Sequence, residues 1–254
     1  RKNMKLVDTH AHIYDEKFRD DFDEIMDRIN NELDFVVSIG YDMESSEKSI
    51  ALSEKYEKIY SVIGFHPTEI KKYSEEAEKK LEELAKNSKV TAIGEIGLDY
   101  YWMEDPKEKQ MEIFRLQMEL ARRVKLPVVI HTRDAIEDTV KILEEYKDLG
   151  GIMHCYPGSY ETAKKLMDRY YFGIGGVVTF KNNKVTKETV KKLPLERIVI
   201  ETDCPYLTPE PFRGKRNEPV YVKYVAEKIA EIKEISLEQV IEVTTNNAKK
   251  IYSI

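Results

Sequence analysis

The stretch Val7-Asp8-Thr9-His10-Ala11-His12 begins β-branched and apolar and ends in two histidines spaced by two. On a strand, side chains two apart share a face, so Asp8, His10 and His12 are expected to point together toward one end of the fold. The design recurs. Ser61–Pro67 (SVIGFHP) carries His66, Val128–Arg133 (VVIHTR) carries His131, and Gly151–Gly158 (GIMHCYPG) carries His154. All five histidines therefore stand near the carboxyl ends of short apolar runs. Where strands alternate with helices, those ends open into the mouth of an α/β fold, where sites are built. The pattern predicts a metal or acid/base cluster.

Outward from these runs, the β-branched segments Lys5–His12, Leu33–Tyr41, Ile59–Pro67, Val90–Tyr100, Pro127–Arg133, Gly151–Gly158, Tyr171–Phe180 and Arg197–Cys204 read as eight strands. Charged amphipathic segments separate them: Phe22–Asn31, Glu44–Tyr56, Glu75–Asn87, Pro106–Val124, Ala135–Tyr146, Tyr160–Arg169 and Val185–Leu193. Two further helical stretches, Val220–Glu231 and Leu237–Tyr252, follow a proline-rich loop from Pro205 to Pro219. Asp105 before Pro106 reads as an N-cap with proline at the first helical position, and Ser236 with Gln239 as a capping box. Eight strands and their helices in 254 residues match the rhythm of a (β/α)8 TIM barrel in a single domain spanning 1–254, with a doubly wound sheet as the alternative. Met4 is a candidate natural start, so Arg1–Asn3 are left out of the fold reading.

Composition narrows the function classes. Hydrophobic residues make up 41% and charged residues 35%, as in globular chains. A formal net charge of −6 argues against indiscriminate binding of nucleic acid through a global positive field, so any such contact must be local. No apolar run approaches a membrane span, and the start lacks the apolar core of a secretory signal. Two cysteines, Cys155 and Cys204, do not make a disulfide scaffold. A cytoplasmic location is expected.

Acidic residues inside apolar runs are costly to bury unless paired or metal-bound. Glu95 in AIGEIGLDYY and Asp203 in IVIETDCPY are such residues, on the fourth and eighth strands. With His10, His12, His131 and His154 they make six N/O donors converging on one mouth. Asp8, one step deeper, is a candidate to orient a histidine through its second ring nitrogen. The competing reading for Glu95 or Asp203 is an ion pair with a lysine or arginine.

At this point the chain resembles the TatD-related metal-dependent hydrolases and deoxyribonucleases, relatives of the amidohydrolases. The resemblance rests on DTHAH, GFHP, GEIGLDYY, HTRDA, HCYPGS and the segment from Glu201 to Pro219, six ordered motifs over most of the chain. One departure is Pro157, where the family more often has serine; the metal positions match. The resemblance implies a barrel with two divalent ions (Mg, Mn or Zn): His10, His12 and Asp203 on the first, His131 and His154 on the second, and Glu95 bridging. Such a pair activates water against a phosphodiester, and Asp203 is the candidate general base. A phosphodiesterase or deoxyribonuclease, 3′–5′ exonuclease-like and acting on single-stranded DNA ends, is the leading expectation. The alternatives are a small-molecule amidohydrolase cleaving C–N or C–O bonds, and a barrel that binds metal or nucleic acid without catalysis.

Substrate-side candidates complete the reading. His66 is expected either to touch a phosphate oxygen or leaving group, or to fix the chain before Pro67. Arg133 faces a phosphate or a site carboxylate. Arg213 and Lys215, with Arg216, form a basic cluster that suits phosphate, and Tyr100, Tyr101, Trp102 and Tyr206 are either base-stacking groups or a barrel rim. Strand alternation sends Cys155 and Cys204 to the opposite face, toward the helices. Neither a P-loop nor a dinucleotide fingerprint is present.

Overall fold

Strands enclosed by helices must bury both faces, and the chain's β-branched runs do so: every residue of Leu6–Ala11 and of Val90–Asp99 is buried. The computed structural model describes residues 4–254; Arg1–Asn3, and the expectation attached to them, lie outside the described residues. Eight strands form one parallel sheet in sequential order: β1 (Leu6–Ala11), β2 (Leu33–Ile39), β3 (Ile59–Ile63), β4 (Val90–Asp99), β5 (Val128–Arg133), β6 (Gly151–Met153), β7 (Tyr170–Ile174) and β8 (Ile198–Ile200). A doubly wound sheet would reverse its order part-way; this one does not. A bridge between Ala11 and Cys204, with Asp203 N–H donating to His10 O at 2.8 Å and His12 N–H to Cys204 O at 2.9 Å, ties the end of β8 to β1. The fold is a (β/α)8 TIM barrel.

The helices are α1 (Phe22–Glu32), α2 (Met43–Lys55), α3 (Glu75–Leu84), α4 (Lys107–Val124), α5 (Ile136–Glu144), α6 (Tyr160–Lys164), α7 (Lys184–Lys192), α8 (Val222–Lys233) and α9 (Leu237–Tyr252). Val37, Val62, Val129, Ile152 and Val199, from five strands, form one apolar cluster, and Val129 shares the face of His131 two residues on. The remaining core lies between strands and helices. None of the helices, among the described residues, is long and apolar enough to cross a membrane.

Several boundaries differ from the sequence reading. β6 and β8 stop at Met153 and Ile200, so His154 and Asp203 stand beyond their strands, as do His12 and His66. The seventh strand ends at Ile174 and gives way to a 3-10 turn over Gly176–Thr179, and α6 covers only the first half of its expected segment. Pro106, not Asp105, is the N-cap of α4, because its extended ψ of 155° keeps it outside the helix while its carbonyl accepts the first helical bond, from Gln110. Ser236 caps α9 by accepting the Gln239 N–H, which is the forward half of the expected capping box.

Candidate metal centre

Glu95 enters the mouth because β4 is irregular there: Gly94 pairs with Val129 and Ile96 with Ile130, leaving Glu95 as the extra residue of a bulge. Two residues on, Gly97 has φ +145° and lies so close to β5 that a Cβ would stand 1.9 Å from the His131 carbonyl oxygen. Only glycine permits that approach. Asp203 and Cys155 follow their strands in left-handed conformations, φ +57° and +44°.

The five histidines and two carboxylates converge. Glu95 Oε1 lies 3.2 Å from His10 Nε2, while Oε2 lies 2.9 Å from His131 Nδ1, 3.6 Å from His154 Nε2 and 3.7 Å from His66 Nε2. Asp203 Oδ1 faces His12 Nε2 at 3.1 Å, His10 Nε2 at 3.5 Å and His154 Nε2 at 3.8 Å. Among the described residues neither carboxylate pairs with a lysine or arginine; imidazoles occupy that role.

Each inward-facing ring is aimed by a second contact, with His10 the exception. His12 Nδ1 donates to the Ile39 carbonyl at 2.9 Å, which leaves Nε2 for the centre. His131 Nε2 donates to Asp99 Oδ2 at 2.8 Å, while Asp99 Oδ1 accepts the N–H groups of Tyr101 and Trp102 at 3.0 and 2.7 Å. His154 Nδ1 lies 2.8 Å from Glu201 Oε1. His10 is buried with no hydrogen-bond partner for Nδ1, and its Nε2 faces Glu95 Oε1 and Asp203 Oδ1. Asp8 does not aim a ring; it accepts the His10 N–H at 3.2 Å and the Thr202 N–H at 2.9 Å, holding β1 against the end of β8.

Burial opposes the charge on Glu95, yet His154 and His10 beside it hold the carboxyl well below the ordinary range. Asp203 is likewise kept low against burial by His154, His12 and His10. Conversely, burial would lower the His154 imidazole, but Glu201, Glu95 and Asp203 raise it to about 10. Against burial, Asp203 raises His12, and Asp99 with Glu95 raises His131, whereas burial and His154 lower His10; a divalent cation would replace the protons of the raised rings. The His10 Nε2, buried and facing two anions, fits a divalent cation held between them.

Asp99 and Glu201 escaped the sequence reading although the signal was present: each is an acidic residue ending an apolar run. His66 behaves differently from its neighbours. Its Nδ1 accepts the Thr68 N–H at 3.1 Å, capping the 3-10 turn Pro67–Lys72, so a neutral ring carries its proton on Nε2. Burial, then His131, pushes its pKa down to about 3.

A cavity of 550 Å³ opens over the centre, lined among others by Tyr14, Tyr41, Trp102, Arg133 and Tyr206. Trp102 and Tyr206 are 57% and 49% exposed, and the Arg133 guanidinium stacks 4.0 Å from the Tyr101 ring. Arg133 pairs with no carboxylate among the described residues. Tyr100 turns away to donate to Asp138 at 2.6 Å. Arg213 and Lys215 do not line the cavity; Arg213 stacks on Phe180 at 3.7 Å. Arg216 is bound bidentately by Asp21 at 2.7 and 2.6 Å. Cys204 packs in the core as expected, but Cys155 is only partly buried, because its positive φ breaks the strand alternation that would have turned it to the helices.

The sequence matches the family described as TatD related DNase over residues 7–253. The chain belongs to that TatD family. It is 49% identical over 253 residues to the uncharacterized metal-dependent hydrolase YabD of Bacillus subtilis, covering 98% of this chain and 99% of the relative. It is 34% identical to the uncharacterized metal-dependent hydrolase YcfH of Escherichia coli, covering 99% and 97%. Its structure superposes on the TatD homolog YJJV of E. coli with a TM-score of 0.92, at 26% identity and full coverage of both chains. TatD membership places the chain among metal-dependent hydrolases.

Proposed function

We propose that the protein is a two-metal phosphodiesterase that removes nucleotides from single-stranded DNA ends, 3′–5′ exonuclease-like. The observation that carries this is the division of Glu95: Oε1 serves the group with His10 and His12, and Oε2 the group with His131 and His154. A carboxylate shared between two donor groups is a bridging ligand in form. His10, His12 and Asp203 would hold one divalent ion, Mg, Mn or Zn, and His131 and His154 the other. Such ions lower the pKa of a bound water and offset charge building on the phosphodiester.

The chain's own groups supply the rest. Asp203 is kept ionised and, at 17% side-chain exposure, reaches the cavity, so it accepts the proton of the attacking water. His66 offers Nε2–H to a phosphate or leaving-group oxygen, and Arg133 reaches the cavity as a cation for a phosphate. Exposed Trp102 and Tyr206 stand where unpaired bases can stack. Arg213 and Lys215, outside the cavity, would meet DNA only farther along the strand. The free cysteines suit a reducing cytoplasm.

End-labelled single-stranded DNA incubated with the protein and Mg²⁺, Mn²⁺ or Zn²⁺ should be shortened from one end. Asp203→Asn should reduce the rate by about 10²- to 10⁴-fold, the range of a lost acid/base group, and Glu95→Ala should also abolish most activity by removing the carboxylate shared between the two donor groups. Undiminished cleavage by both folded variants defeats the proposal; metal-stimulated hydrolysis of amides or lactones without DNA cleavage would move it to amidohydrolase chemistry.

A further inference from the structure

Helix α4 buries two glutamines, Gln110 and Gln117, each 1% exposed among apolar neighbours such as Ile113, Phe114 and Met118. Seven residues is close to two turns, so the two amides share a face. Burying an amide is unfavourable unless it is hydrogen-bonded, and each of these grips both backbone groups of one residue. Gln117 Oε1 accepts the Phe65 N–H at 2.8 Å and its Nε2 donates to the Phe65 carbonyl at 3.0 Å. Gln110 Oε1 accepts the Asp99 N–H at 2.8 Å, and its Nε2 donates to the carbonyls of Asp99 and Asp105, both at 3.0 Å.

These grips fall where the strand ladder has run out. Pairing between β3 and β4 ends at Ile63 and Ile93, which leaves Phe65 and Asp99 without partners in that ladder. The two side chains take the place of the missing strand. Phe65 immediately precedes His66, and Asp99 holds both the His131 ring and the turn that carries Tyr101 and Trp102.

We propose that Gln110 and Gln117 are positioning residues that aim the two sides of the site separately: Gln110 sets His131 through Asp99, and Gln117 sets His66 through Phe65. The assignment of His131 to metal and His66 to substrate rests on the reading above; the aiming itself does not.

Gln110→Met and Gln117→Met keep the length of the side chain and remove both bonds. Long-range ¹H–¹⁵N spectra of the metal-free protein report each imidazole's tautomer. In Gln117→Met the His66 signals should shift or split while those of His131 stay, and Gln110→Met should do the reverse. Calorimetric titration with Mn²⁺ should show about 10- to 100-fold weaker binding for Gln110→Met, the usual loss when a partner behind a ligand is disturbed, and a change under about 2-fold for Gln117→Met. If a methionine variant does not fold, the corresponding Gln→Glu, which keeps the acceptor and loses the donor, should show smaller changes in the same ring. Both rings moving in each variant, or neither moving in either, overturns the proposal. Wild-type protein that binds no Mn²⁺ or cleaves no DNA defeats the functional reading, while the spectra still decide the positioning.

Discussion

Glu201 stands directly behind His154, its Oε1 2.8 Å from the ring Nδ1, while the opposite nitrogen faces Glu95 and Asp203. The carboxylate is completely buried and also accepts the Cys155 N–H at 2.8 Å, so it fixes both the ring and the backbone that carries it. Gly173 leaves room for it, since a Cβ there would stand 2.5 Å from Glu201 Oε2. Glu201→Gln preserves size but removes the charge that favours a proton on Nδ1. It should weaken Mn²⁺ or Zn²⁺ binding by about 10- to 100-fold while the fold survives, as for other partners behind metal-bound histidines. Titration calorimetry with an unfolding curve separates the effects; unchanged affinity would leave Glu201 a purely structural residue.

Metal should stabilise a barrel that is already folded. The apolar core between strands and helices does not pass through the cluster, so the metal-free chain is expected to melt cooperatively. A ligand at 100 times its Kd adds about 2.7 kcal/mol, and a domain of this size gains roughly 2–4 °C per kcal/mol, giving a rise of roughly 5–11 °C. Chelation should reverse the rise, and Glu95→Ala should abolish most of it. A melting temperature indifferent to Mg²⁺, Mn²⁺ and Zn²⁺ would count against a metal centre.

The strand-end histidines were legible because period-two patterning and β-branched runs are local signals. What lay beyond was set by long-range geometry. Asp99 and Glu201 carried the same acidic-in-apolar signal as Glu95 and Asp203, but which member of a pair such as Glu201 and Asp203 faces the cavity depends on where β8 stops and on the positive φ at Asp203. Arg216 read as part of a phosphate-binding cluster, yet its partner Asp21 is 195 residues away in sequence. Alternation misplaced Cys155 for the same reason: the rule holds only inside a strand, and β6 ends two residues earlier.

That Asp21–Arg216 pair gives a pH dependence. The guanidinium hydrogen bonds hold the Asp21 carboxyl below its ordinary value of 3.8. A carboxyl lowered in the folded state stabilises above its unfolded pKa and loses the contribution as pH falls through the folded one. The pair is about one-third exposed, so solvent screening limits it to about 1 kcal/mol or less. Asp21→Asn should therefore melt up to roughly 2–4 °C below wild type at pH 7, with the gap closing below pH 3.8. A gap of equal size at pH 7 and pH 3 would show that the pair's charge is not its source.

Trp102 separates base stacking from chemistry. It is 57% exposed at the cavity edge, in a turn fixed by Asp99, and the Arg133 guanidinium lies 6.0 Å from its ring. Leaving an indole in water is unfavourable unless something covers it, and a base is a flat partner of the right size. Trp102→Ala should weaken binding of single-stranded DNA by about 1–3 kcal/mol, the range for one stacked base, with most of the loss in KM rather than kcat. A single strand with abasic end nucleotides, which keeps the phosphodiesters and has no ring to stack, should be hydrolysed at the wild-type rate, because the contact of Trp102 with Asp99 is made by its backbone N–H and survives the substitution. Equal losses on both substrates would mean that the substitution disturbs Asp99 and His131 instead, and the ¹H–¹⁵N signals of His131 would then move as well.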